Sequence, residues 1–100
     1  MSDRELLSMA RSFRKGILGK RPSDMMCFAV CAPLQAYLAI FGVELELVEA
    51  DFGRVNHVWL ALSDGRILDP TADQFGIKPA VYLGPIPSAY ETARSGRGER

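Results

Sequence analysis

Apolar residues recur at Leu6, Leu7, Met9, Ala10, Phe13, Ile17 and Leu18, a spacing of three and four that gathers them on one face of a helix. Gly16 and Gly19 mark its end. After the connector GKRPSD, Ser23 or Asp24 is placed to cap a second helix that runs through MMCFAVCAPLQAYLAIF and stops at Gly42. Pro33 falls inside this second pattern, where its missing N–H predicts a kink or the loss of the first turns.

Beyond Gly42 the period drops to two. Val43, Leu45 and Leu47 alternate with Glu44 and Glu46, the pattern of a half-buried strand. EADFGRV then turns the chain, NHVWLAL is a second strand, SDG a hairpin turn, and RILD a third strand ended by Pro70. AVYLG, residues 80–84, adds an edge strand before PIP, and the polar ARSGRGER is expected to be a mobile tail. These elements predict an α+β fold, with an N-terminal helix and a cysteine-bearing helix packed on a small antiparallel sheet of three to four strands. One domain is expected over residues 1–90, with a flexible tail over 91–100.

Composition narrows the function. The chain has 100 residues, 48% of them hydrophobic and 24% charged, which suits a single ordinary globular domain. Twelve basic residues are balanced by twelve acidic ones, so there is no basic excess to bind nucleic acid. The cluster RSFRKGILGKR reads as a solvated helix face. No apolar run approaches the ~20 residues that span a bilayer, and the charged N-terminus is unlike a secretory signal. A cytoplasmic protein is therefore expected, with Cys27 and Cys31 as thiols.

The candidate chemistry gathers around the single histidine. On strand NHVWLAL, Val58, Leu60 and Leu62 face one way and His57, Trp59 and Ala61 the other. With a hairpin centred near Asp64, pairing alone puts Asp69 opposite Val58 to Leu60, and a register offset of one or two residues would bring it to His57. A carboxylate on one ring nitrogen fixes the imidazole's tautomer and leaves the other nitrogen as a base. A cysteine near a helix N-terminus supplies a nucleophile whose thiolate is favoured by the helix dipole and an adjacent imidazolium. Cys27 stands three or four residues past the expected cap. Cys31 is deeper in the helix, where it packs, unless a break at Pro33 starts a helix near Ala32.

The run MCFAVCAPLQAYLAIFGVELELVE followed by NHVWLALSDGRILDPTADQF resembles the transglutaminase-like superfamily, with its papain-like Cys, His, Asp arrangement. The resemblance covers residues 25–75. Cys27 precedes Gly42 by fifteen positions, Trp59 follows His57 by two, and Asp69 follows His57 by twelve; the family's small residue, four after the cysteine, falls on Cys31. The resemblance implies a papain-like core with the cysteine helix against the sheet, thiolate attack on an amide or ester carbonyl, an acyl-enzyme, and acyl transfer to water or an amine. It implies Cys27 as nucleophile, His57 as base and Asp69 as orienting group. No glutamine or tryptophan precedes Cys27 to complete an oxyanion hole.

Other readings of the same residues stay open. His57 and Asp69 can serve as hydrogen-bonding groups of a hairpin, with Asp69 a turn former before Pro70 and Thr71, and Cys27 as a small buried hydrophobe. That is a catalytically silent binding module on the same fold. Trp59 either packs against the helix or contacts substrate, and Gln74 either pins its loop or donates to a substrate carbonyl. A thiol redox role for Cys27 and Cys31 needs converging side chains that an intact helix does not provide. Two cysteines four apart and one histidine lack metal-site spacing, and no cofactor is implied. The expected partner is a protein, peptide or other amide substrate. The oligomeric state cannot be read from the sequence.

Overall fold

The computed structural model describes residues 1–21, 26–53, 56–77 and 79–98. Helix α1, Asp3–Leu18, opens on a capping box: Ser2 Oγ accepts from the Glu5 N–H at 3.2 Å, and Glu5 Oε1 accepts from the Ser2 N–H at 2.9 Å. It closes at Gly19, whose φ of 59° favours a residue without Cβ. Gly16 belongs to its last turn. Leu6, Ala10 and Leu18 are buried, and each leucine withdraws enough apolar surface to contribute about 2 kcal/mol.

Helix α2, Cys27–Ile40, starts at the cysteine itself. Ser23 and Asp24, the expected caps, lie outside the described residues, and the N-cap position is held by Met26 with no side-chain hydrogen bond. Cys27, Val30, Cys31, Leu34 and Leu38 face inward. Of the two effects expected of Pro33, the loss of the first turns does not occur: the helix runs continuously through it. Pro33 and Ala29 both lie on the exposed side, so the carbonyl that loses its partner can be hydrated. The outer face also exposes Phe28, Ile40 and Phe41.

Four strands form one antiparallel sheet in the order β1-β2-β3-β4: Glu46–Asp51, Asn56–Ala61, Arg66–Asp69 and Tyr82–Pro85. β1 is displaced from the expected 43–47. Residues 43–45 are tied to α2 instead, through Val43 N–H to Leu38 O at 3.0 Å and Gln35 Nε2 to Leu45 O at 2.8 Å. The pairing with β2 begins only at Glu46↔Ala61 and continues to Asp51↔Asn56, taking in residues that the sequence assigns to a turn. The SDG turn forms as expected, with Gly65 at φ 92°, a left-handed backbone conformation suited to glycine.

The sheet separates two apolar layers. α1 and α2 cover Leu45, Val58, Leu60 and Leu68 on one face. On the other, Val48, Ala50, Trp59 and Ile67 pack with Tyr90, a residue of helix α3, Ser88–Gly98. No element was expected there: the sequence ends the domain at 90 and leaves 91–100 as tail, whereas the helix carries on through Gly98. Among the described residues, three α-helices on a four-stranded antiparallel sheet make an α+β fold. No helix among them is long and apolar enough to cross a membrane.

Candidate active site

The hairpin β2–β3 sets the histidine and the aspartate. Its register is Leu60↔Leu68 and Ala61↔Ile67, which extends to Asp69 beside Trp59, with His57 two residues further along the same face. Diagonal neighbours on one face are within reach of a long or aromatic side chain. The register offset considered from the sequence is therefore unnecessary: His57 Nε2 lies 2.6 Å from Asp69 Oδ2 with both side chains fully buried.

The carboxylate is held from several sides. Oδ1 accepts from the Thr71 N–H at 2.9 Å and from the Thr71 hydroxyl at 3.4 Å, while Oδ2 accepts from the Tyr90 hydroxyl at 2.6 Å. Asp69 is thus a turn former and a partner of the histidine at once, with a separate oxygen for each role. The loop that follows is anchored by α1, where Arg14 donates to Pro70 O at 2.9 Å and pairs with both Asp73 oxygens at 2.8 and 2.9 Å.

Cys27 is brought in by α2. The β2–β3 pairing runs only as far as Leu60↔Leu68, and in a strand the N–H and C=O of one residue point the same way. Val58 therefore turns both of its backbone groups out of the β1 ladder, toward the side that β3 leaves open, and the first turn of α2 takes them. The Cys31 thiol donates to Val58 O at 3.5 Å, and the Val58 N–H helps to draw the Cys27 thiol toward its ionised form. Cys27 and His57 act on each other's protonation, the ring drawing the thiol down and the sulfur drawing the ring up. Because Asp69 takes Nε2, Nδ1 is the ring nitrogen left to exchange a proton with a thiol.

The electrostatics follow from these contacts. Burial pushes the Cys27 thiol up, but the His57 hydrogen bond, the Val58 N–H, the imidazole's charge and the Phe28 N–H outweigh it, leaving the thiol below its ordinary value. Burial alone would lower His57; the hydrogen bonds to Asp69 and Cys27 and their charges reverse this and push the ring up to about 9. Cys31 moves the opposite way to Cys27, driven well up by burial and then by the charges of Asp69 and Cys27. Only Cys27 therefore favours the thiolate. The first turn of α2 contains no acidic residue, so the positive end of the helix dipole is left to act on the sulfur.

Trp59 and Gln74 fall elsewhere. Trp59 is fully buried beneath α3, its ring 4.8 Å from Tyr90 and 6.0 Å from His57, and its indole N–H meets no hydrogen-bond partner among the described residues. This placement makes it a packing residue. Gln74 is half-buried in the short 3₁₀ turn Ala72–Phe75, on the loop that Arg14 anchors. Tyr90 and Thr71 are the residues that sequence reasoning missed. For Tyr90 a signal exists: Ile86, Tyr90 and Ala93 recur at helical spacing and join the layer under α3.

Among the described residues no three metal-ligating side chains converge. Comparison with protein-family models, curated proteins and solved structures returns no match for this chain.

Proposed function

We propose that the protein is a small cysteine-dependent hydrolase or acyltransferase acting on amide or ester bonds, of transglutaminase-like ancestry. Cys27 is the nucleophile, His57 the acid and base, and Asp69 the group that orients and charges the ring. The observation that carries this reading is the fully buried His57–Asp69 pair, 2.6 Å apart, joined by Cys27 at the first residue of α2, whose thiol the imidazole draws toward the thiolate.

In this mechanism the Cys27 thiolate attacks the substrate carbonyl carbon and the C=O electron pair moves onto oxygen. Orphan N–H groups in the uncapped first turn of α2 are suited to hold that oxyanion, which answers the absence of an upstream glutamine or tryptophan. Collapse of the adduct breaks the bond to the leaving group, which takes the proton from His57 Nδ1. Water or an amine then gives its proton to Nδ1 as it attacks the thioester, and the thiolate departs.

A silent binding module on this fold is the second reading. It is favoured by closure, since Cys27 is 6% exposed and His57 and Asp69 are 0% exposed. An activated ester small enough to reach the thiol separates the two. With p-nitrophenyl acetate we expect a burst of nitrophenolate equal to the protein concentration, an acetyl group on Cys27, and its loss to water or added amine. The absence of a burst, or acylation as slow in wild type as in Cys27→Ala, would overturn the catalytic reading.

A further inference from the structure

The α3 face of the site contains a group that the proposed mechanism does not use. Tyr90 is fully buried, and its hydroxyl approaches Asp69 Oδ2 at 2.6 Å and His57 Nε2 at 3.3 Å. Its ring is clamped between Trp59 at 4.8 Å and Phe52 and His57, each at 5.4 Å. A phenol whose only task was to fill the apolar layer would place its O–H against any convenient carbonyl. This one shares a single carboxylate oxygen with the imidazole.

We propose that Tyr90 is a positioning residue of the Cys27–His57–Asp69 site. By donating to the oxygen that receives the ring, it holds the carboxylate in place and takes up part of its charge. The imidazole is oriented but remains able to return its proton to a leaving group. This inference rests on the catalytic reading above and adds a fourth group, a neutral hydrogen-bond donor, to the site.

The sign follows from the geometry. A neutral O–H that donates to a carboxylate withdraws negative charge from it, so the imidazolium is held less strongly than by a bare carboxylate. The same oxygen's approach to Nε2 acts the other way, but at 3.3 Å it is the weaker contact. Among the described residues, the other titratable groups that act on the ring are Asp69 on β3 and Cys27 on α2, and Cys31 on α2 lies within the field of both. From β1, Ala50 pairs with His57 and brings no charge, and neither does Phe52 beyond it. Removing the hydroxyl should therefore raise the imidazolium's pKa, the opposite of what a loosened site would do.

The test is an NMR titration of the His57 ring beside the alkaline limb of the burst rate, in wild type and Tyr90→Phe. We expect both to move to higher pH by about one unit, the shift corresponding to the net strength of one hydrogen bond. A protein labelled throughout with 3-fluorotyrosine keeps the hydroxyl and makes it a stronger donor. It should move the ring the other way, and it decides the matter if Tyr90→Phe fails to fold. An unchanged ring titration in either protein, with only the thermal midpoint altered, would overturn the proposal and reduce Tyr90 to a packing residue. A wild-type protein that gives no burst while the ring still responds to Tyr90 would instead overturn the catalytic reading and leave the positioning of His57 in place.

Discussion

Asp69 shows how one side chain can satisfy two sequence readings that look like rivals. Its Oδ1 holds the turn through Thr71 and its Oδ2 holds His57. Asp69→Asn should therefore keep the turn, since the amide oxygen can still accept the Thr71 N–H. It removes the charge and can place an N–H against Nε2, which selects the wrong tautomer. We expect the thermal midpoint to change by only a few degrees while His57 falls toward its ordinary value of 6.5 and the pH at which Cys27 ionises rises. Midpoint and thiol titration, measured on the same sample, check this. A variant that loses the fold but keeps the wild-type thiol profile while folded would make Asp69 a turn residue alone.

At the scale of elements, legibility followed how local each cause is. The hairpin was readable because the SDG turn and its flanking alternation fix the register between neighbours in the chain, and the contact of His57 with Asp69 follows from that register. β1 was misplaced because Val43 and Leu45 carry the alternation of a strand while their backbone is claimed by Leu38 and Gln35 of α2, a contact between elements. α3 was missed because within it only Tyr90 and Ala93 join the apolar layer, with Ile86 just ahead of its start. With it went the fourth group of the site. Pro33 was expected to kink α2 or split off its first turns; the turns stay, and Pro33 lies on the exposed side of a continuous helix, where it forgoes a bond to Ala29. Pro33→Ala restores that bond and should raise the unfolding free energy in urea by about 1–3 kcal/mol, the entropy that proline removes from the unfolded chain being the smaller effect. The reactivity of Cys27, two turns nearer the N-terminus, should not change. A stability that stays level or falls would mean that the helix is bent to accommodate the proline and uses that bend.

Over the whole molecule, the thiol and the ring make folding sensitive to pH in opposite directions. His57 keeps its proton to about 9 when folded but only to its ordinary 6.5 when unfolded. Its contribution is thus complete below ~6.5 and is lost as pH rises through about 9. Cys27 ionises below its ordinary 9.0 when folded, so its contribution is present above the unfolded value and is lost as pH falls through the lowered one. Above the lowered thiol value and below about 9, folding passes a proton from sulfur to ring, and the two effects oppose each other. Urea midpoints of the wild type should fall less steeply with rising pH, between the lowered thiol value and about 9, than those of Cys27→Ser, which should become steadily less stable from pH 6.5 to 9; parallel curves would show that the two groups are not coupled. The most direct measurement of the central claim is the rate of iodoacetamide labelling at each cysteine against pH, followed by mass spectrometry, in wild type and His57→Ala. Cys27 held as a thiolate by His57 should react at pH 6 while the buried Cys31 stays silent, and its profile should move toward that of a free thiol near ~8.5 when the imidazole is removed. A Cys27 that reacts as an ordinary thiol in wild type, with a profile that His57→Ala leaves in place, would contradict the account.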